Sequence, residues 1–329
     1  MPQLSVVIPM YNEEDALALL VDRLRPVLDG LAAPYEVVAV DDGSTDDTAR
    51  LLGEFRHVWP QLRVVGLRRN AGHQAALTAG LHRAHGTYVV SIDADLQDPP
   101  EKIVDMLALA QRDNLDVVYG VRVDRTTDTF FKRTTAAAYY LIMRRTIGSW
   151  VPRHAGDFRL LSRRAVDALI ALPEQRPVYR LLVPSLGFPS GVVTYVRAER
   201  AAGKTKYPLG KMVRLAFDSI ANFSAAPLRL ATWLGLVSFA VCLLMFLGGV
   251  GAYLKGTTVP GWTSLFVAVT FLGGVQLICV GLVGEYVGRI YAAVQGRPAY
   301  YIGSDSAYDG SDAPADEISP ADPVGARLG

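Results

Sequence analysis

Short apolar runs alternate with amphipathic stretches over residues 4–122. LSVVIPM (4–10) is almost wholly apolar. EEDALALLVDRLRPVL (13–28) then sets Leu17, Leu20, Val21, Leu24 and Leu28 at helical spacing, with acids in its first turn. The alternation continues. YEVVAV (35–40) predicts a strand, 45–58 a helix opened by a Ser/Thr/Asp cap, LRVVGL (62–67) a strand and 73–84 a helix. TYVVSI (87–92) and DVVYGVR (116–122) predict two more strands, with a helix over 101–112 between them. This βαβ cadence predicts an α/β fold built on a doubly wound, mostly parallel sheet. Such sheets bind ligands where strands end at their carboxyl edge, so the residues just after each strand carry the functional question.

The later part of the chain has a different pattern. An uncharged run spans 230–254, and a second spans 256–284 and stops at Glu285. At about 1.5 Å per helical residue, the first run exceeds the roughly 30 Å hydrocarbon core of a bilayer. Buried core helices would also read this way, but two such runs with a single lysine between them suit lipid better than water. The runs predict transmembrane helices over 230–254 and 260–284, joined around Lys255–Pro260 as a hairpin with both flanks on one side. Arg197, Arg200, Lys204, Lys206, Lys211, Arg214 and Arg229 precede the hairpin, and Arg289 and Arg297 follow it. The positive-inside bias predicts a multi-pass protein of the cell inner (plasma) membrane, with residues 1–206 as a cytoplasmic domain. Residues 207–229 read as a juxtamembrane amphipathic helix and 285–302 as a cytoplasmic juxtamembrane segment. The acidic 303–329 tail reads as disordered. Met1-Pro2-Gln3 leads straight into a strand-like run, so no secretory leader is expected.

Composition narrows the classes. The 329 residues carry 33 Lys+Arg against 32 Asp+Glu, a net charge of +1, which gives no global attraction to nucleic acid. Half the residues are hydrophobic and there are two cysteines, Cys242 and Cys279, which excludes a disordered chain and a disulfide scaffold.

The predicted strand ends are polar and acidic: Pro9-Met10-Tyr11-Asn12-Glu13, Asp41-Asp42-Gly43-Ser44 and Asp93-Ala94-Asp95-Leu96-Gln97-Asp98. Asp93 and Asp95, two apart as they leave a buried strand, project the same way, and Gln97 adds an oxygen. Mg²⁺ takes one or two carboxylates plus substrate phosphates, so this set suits a nucleotide diphosphate. An acidic turn after a strand is the plainer alternative. Ser44 to Asp47 fit helix capping, while Asp42 sits early enough to accept a hydrogen bond from a nucleobase. PMYNEE has no glycine to admit a pyrophosphate to a helix N-terminus, which argues against a dinucleotide-binding domain, and no P-loop is present. RTTDTFFKRTTAAAYYLIMRR (125–145) can lie at a membrane interface with Lys132 and Arg133 meeting a lipid phosphate, or pack as an ordinary amphipathic helix.

PMYNEE, VDDGSTDDT, RNAGHQAALTAGL, DADLQDPPE, GDFRLLSRR and RAAGKTKYPLGKM, followed by two apolar runs and GEYVGRIY, resemble the membrane-bound family 2 glycosyltransferases. Within that family they are most similar to the polyisoprenyl-phosphate glycosyltransferases, such as bactoprenol glucosyl transferases and dolichol-phosphate mannose synthases. The resemblance runs from about Leu4 to Ile302. It implies a GT-A fold, a divalent cofactor (Mg²⁺ or Mn²⁺), and inverting transfer of a hexose from a nucleotide sugar to a polyprenyl phosphate. UDP-glucose is the favoured donor and GDP-mannose an alternative. By position it implies nucleotide-sugar contacts from Pro9, Tyr11, Glu13, Val40, Asp42, Asp93, Ala94, Asp95 and Arg122, with Asp93, Asp95 and Gln97 on the metal. Arg200 and Lys206 match a basic pair that closes over the diphosphate, although anchoring to acidic lipid would also explain them. Asp157 occupies a carboxylate position treated as catalytic; a simple ion pair with Arg159 or Arg163 is its alternative.

The implied chemistry does not require Asp157 as a base. A lipid monophosphate has its second pKa near 6 and is already largely dianionic at neutral pH. The leaving diphosphate is what needs neutralising, by metal and by Arg200 and Lys206. EQRPVYRLLVPSLGF (174–188) departs from the relatives' ERxRFxRGLxxW pattern: Arg180 survives, but Pro177, Leu181 and Ser185 stand where an arginine, a glycine and a tryptophan are usual. It also lacks the Gln-x-x-Arg-Trp of processive synthases. A membrane scaffold that keeps the fold without strong catalysis is the rival reading. Homo-oligomerisation through the hairpin stays open.

Overall fold

The computed structural model describes residues 1–123, 155–174, 177–196, 226–254 and 261–308. The proposed interfacial stretch with Lys132 and Arg133, the basic pair Arg200 and Lys206, most of 207–229 and the 255–260 connection lie outside these residues. The chain divides into two units, one of Met1–Lys206 with Arg297–Gly329 and the other of Tyr207–Gly296.

The first unit is an α/β sheet. Strands β1 (Leu4–Met10), β2 (Tyr35–Asp41), β3 (Leu62–Leu67), β4 (Tyr88–Ser91), β5 (Val117–Arg122), β6 (Ala155–Ser162), β7 (Ser190–Tyr195) and β8 (Ile302–Asp305) lie in the order β7-β5-β6-β4-β1-β2-β3-β8. β6 and β8 run against their neighbours, whereas the β1–β2, β1–β4, β2–β3 and β5–β7 pairings are parallel. β1 is buried along its whole length, as its unbroken apolar run requires of a central strand covered on both faces.

Helices α1 (Glu14–Asp29), α2 (Thr48–Val58), α3 (His73–Arg83), α4 (Lys102–Asp113), α5 (Arg163–Ile170) and α6 (Tyr179–Ser185) connect the strands. α1 buries Ala16, Leu17, Leu20, Val21, Leu24 and Leu28, one stripe at helical period. α3 comes unusually close to the sheet: a Cβ on Gly80 would lie 2.3 Å from Val7 Cγ1. That closeness sets the N-terminus of α3 over the carboxyl edge. From β1 the chain winds through β2 to β3, then returns to the other side of β1 with β4. The switch point between β1 and β4 opens the crevice in which such sheets hold ligands.

Two expectations are corrected. α2 begins at Thr48 rather than residue 45, because residues 44–47 are used in cross-links between loops. The segment from 303 is not all tail. Ile302–Asp305 adds β8 to the free edge of β3, and Asp305 is buried with Arg63 Nε and Nη2 at 2.8 and 2.7 Å. Arg83 Nε approaches it at 3.5 Å.

The second unit holds α7 (Ala226–Leu254) and α8 (Trp262–Val294), 29 and 33 residues long. α8 runs past the expected end at Gly284, carrying Glu285 and Arg289 as an i,i+4 ion pair at 2.9 Å. The two helices touch where Cys279 Sγ meets the Ala231 carbonyl at 3.5 Å. On α7, small Ala231 and Ser238, two turns apart, are buried, while Trp233, Phe239 and Leu244 are about two-thirds exposed. Among the described residues, Phe271–Val294 is long and apolar enough to cross a bilayer, and a shorter apolar stretch covers Ala231–Val241.

Candidate active site at the carboxyl rim

After β4 the backbone keeps alternating. Ile92, Ala94 and Leu96 enter the core, leaving Asp93 and Asp95 turned outward and half-buried. Leu96 holds a φ of +56°, a left-handed conformation costly for a branched side chain, and its burial pins it there. Asp95 Oδ1 accepts the Gln97 N–H at 3.1 Å, closing the turn. The carboxylate pair therefore sits on a loop fixed by its own apolar residues.

β6 lies beside β4 and brings Asp157 and Arg159, two apart on one face, next to that loop. Asp157 Oδ1 accepts from Arg159 Nη2 at 2.5 Å, and Oδ2 accepts from Gln74 Nε2 at 3.3 Å. His73 Nε2 stands 3.4 Å from Asp157 and 3.7 Å from Asp93. Burial would raise the Asp157 pKa, but the His73 contact and the charges of Arg159 and Arg180 outweigh it and hold Asp157 well below the usual carboxylate range. Asp93 moves the other way, pushed up to about 6 by burial and by Asp157, Asp98 and Asp95, against the pull of His73. His73 is raised despite its burial, by its contact with Asp157 and the charge of Asp93.

The other predicted residues fall into two groups. Pro9 and Val40 are register partners buried in the sheet and offer only backbone. Tyr11 is exposed, and Glu13, at the N-cap position of α1, donates its N–H to Thr48 Oγ1 at 2.8 Å. Asn12, Glu14 and Asp46 lace the β1–α1 and β2–α2 loops together: Thr45 N–H donates to Asn12 Oδ1 at 2.8 Å, Asp47 N–H to Glu14 Oε2 at 2.8 Å and Glu14 N–H to Asp46 Oδ2 at 3.2 Å. Asp42 is buried and accepts the N–H groups of Ala71 and Gly72 at 2.7 and 2.9 Å, so its carboxylate faces the β3–α3 loop. Arg122 Nε donates to Tyr195 Oη at 3.1 Å and Nη2 to Asp98 Oδ1 at 3.3 Å. Those bonds tie the end of β5 to the far end of the Asp93–Asp98 loop.

Three residues were not singled out from the sequence as site residues: His73, Gln74 and the partnered Arg159. The end of β3 carries the same signal, leading through Arg68-Arg69-Asn70-Ala71-Gly72 to His73.

The donor set fits a hard divalent cation. Asp93, Asp95 and Gln97 supply oxygens only, and carboxylates crowd there with His73 as the neighbouring imidazole. Among the described residues no group of three or more His, Cys, Asp or Glu is placed to hold a metal ion by itself.

A mostly parallel sheet with an acidic, oxygen-donating rim at its switch point defines a GT-A-like α/β domain. The chain belongs to glycosyl transferase family 2, whose model matches residues 5–170, and it is a glycosyltransferase. It is 42% identical over 304 residues to the uncharacterized glycosyltransferase YkcC of Bacillus subtilis, covering 91% of this chain and 93% of that one. It is 38% identical to the SfII prophage-derived bactoprenol glucosyl transferase of Shigella flexneri, covering 91% and 97%. A crystal structure of glucosyl-3-phosphoglycerate synthase from Mycobacterium tuberculosis with Mn²⁺, UDP-glucose and phosphoglyceric acid aligns at 24% identity, covering 68% and 78%, with a TM-score of 0.48.

Proposed function

We propose that the protein transfers a hexose, glucose from UDP-glucose in the favoured case, to a polyprenyl phosphate at the cytoplasmic face of the membrane, with inversion. The observation that carries this reading is the rim at the β1–β4 switch point, where His73 stands between Asp93 and Asp157 and Asp95 closes the same loop as Asp93. Similarity across nine-tenths of the chain to proteins named bactoprenol glucosyl transferases supports the acceptor. The exposed apolar sides of α7 and α8 support a two-helix membrane anchor, since only a lipid surround makes such surface inexpensive.

Asp93, Asp95 and Gln97 would hold Mg²⁺ or Mn²⁺, which supplies charge neutralisation for the departing diphosphate when bound. Asp157 is held ionised by Arg159, Gln74 and His73, and a carboxylate with so low a pKa is a weak base at neutral pH. Its role is electrostatic: it faces positive charge developing on the sugar ring, while the acceptor phosphate attacks already deprotonated. Arg200 and Lys206 neutralise the leaving group, Lys132 and Arg133 hold the acceptor phosphate, and Tyr11 and Arg122 line the donor side.

Membranes containing the protein, supplied with labelled UDP-glucose, polyprenyl phosphate and Mg²⁺, should pass label into the lipid phase. Asp95→Ala should lower the rate at least about 100-fold. Chelation should stop transfer, and Mg²⁺ or Mn²⁺ should restore it. Label that stays in the aqueous phase with every common donor, or an Asp95→Ala variant equal to wild type, would overturn the proposal.

A further inference from the structure

The Gln74 side chain, in the first turn of α3, has a different partner at each polar end. Its Oε1 accepts the Tyr179 N–H at 3.3 Å, and its Nε2 donates to Asp157 Oδ2 at 3.3 Å. A backbone N–H can only donate, so it fixes the carbonyl end on Tyr179 and leaves the NH₂ for the carboxylate. Tyr179 opens α6 and is nearly fully buried. A second link holds the same helix: Thr78 Oγ1 donates to the Gln74 carbonyl at 2.7 Å, so in its 2.8 Å contact with Tyr179 Oη the tyrosine is the donor. α6 is the segment whose sequence departs from the relatives' pattern, and its Leu181, Leu182 and Val183 are packed into the unit. The Gln74 side chain gives α6 a hydrogen-bonded route to Asp157, alongside the charge of Arg180 on the same helix.

We infer that Gln74 is a positioning residue that clamps the Asp157 carboxylate to the first turn of α6 and so sets its orientation for transfer. The inference rests on the proposed role of the rim. Few side chains can replace it: glutamate accepts at both ends but donates at neither, and asparagine is a methylene shorter.

That asymmetry supplies the test. Gln74→Glu keeps an acceptor for the Tyr179 N–H but faces Asp157 with a like charge in place of a donor. In the full-length protein kcat should fall on the order of 10- to 100-fold, with the donor KM moving less than about threefold. In an Asp157→Asn background the same change should cost little, because the group it acts through has lost its charge. Thr78→Val, which removes the Thr78 bonds to Tyr179 Oη and to the Gln74 main-chain carbonyl but leaves both Gln74 side-chain bonds, should lower the melting temperature and leave kcat unchanged. Wild-type kcat in Gln74→Glu, additivity with Asp157→Asn, or an equal kcat loss in Thr78→Val would each overturn the clamp.

Hydrogen exchange gives an activity-independent readout. The Tyr179 amide should exchange faster in Gln74→Ala and stay protected in Gln74→Glu; unchanged protection in Gln74→Ala would also overturn it. If the wild type glucosylates no polyprenyl phosphate, the functional proposal falls and the exchange experiment still decides the clamp.

Discussion

Single residues at the rim owe their properties to neighbours from distant parts of the chain. Asp157 and Asp93 are both partly enclosed carboxylates, yet their pKa values move apart: burial raises both, but the His73 contact and the Arg159 charge outweigh it at Asp157, whereas three neighbouring carboxylates add to it at Asp93. The motif around Asp93 and Asp95 was legible because strand alternation and i,i+2 spacing are local. The choice of Arg159 over Arg163 as the partner of Asp157 was not. Arg163 instead turns to the carbonyls of Ala84 and Gly86, a choice set by strand register. Gly43 shows how tightly the loops meet: its φ is +67°, and a Cβ there would lie 2.7 Å from the Arg69 carbonyl carbon. Gly43→Ala should destabilise the protein by about 1–3 kcal/mol and loosen the Asp42 clasp on Ala71 and Gly72, which a lower melting temperature would reveal.

At the scale of elements, β8 makes the clearest prediction. Burial would raise the Asp305 pKa, but its bonds from Arg63 and the Ala307 N–H hold it below the 3.8 of an ordinary aspartate. A carboxyl whose folded pKa is depressed adds stability above its unfolded pKa, and loses it as pH falls toward the folded value. Asp305→Asn should therefore cost roughly 3 kcal/mol near neutrality by leaving Arg63 buried without its charge partner. It should also flatten the acid limb of the stability curve, measured as melting temperature against pH. The long, strongly periodic helices and the apolar strands were readable within a residue or two at most ends. β8 was not: IGSD carries no alternation, and it is a strand only because β3 offers it an open edge. β6 escaped similarly, since AGDFRLLS sets Asp157 and Arg159 where a surface strand would show neutral polar residues.

For the whole molecule, the proposed membrane anchor makes the prediction, since α7 and α8 expose large apolar side chains such as Trp233, Phe239 and Leu277. The protein should stay with membranes through an alkaline carbonate wash and leave them only in detergent. Release by carbonate or high salt would mean surface attachment instead. Because the net charge is only +1, ionic strength should have little part in that retention.

The order of strands and helices over residues 4–122, the acidic rim and the two long apolar runs follow from sequence alone, because each depends on the spacing of residues within one segment. Tertiary structure decided how those segments meet: β6 reversed between β4 and β5, β8 closing the far edge, and α3 delivering His73 and Gln74 to Asp157. Those pairings join residues from 34 (Val121 and Ala155) to 240 (Val65 and Asp305) positions apart, and no local pattern encodes a partner that only sheet register and helix packing bring into reach.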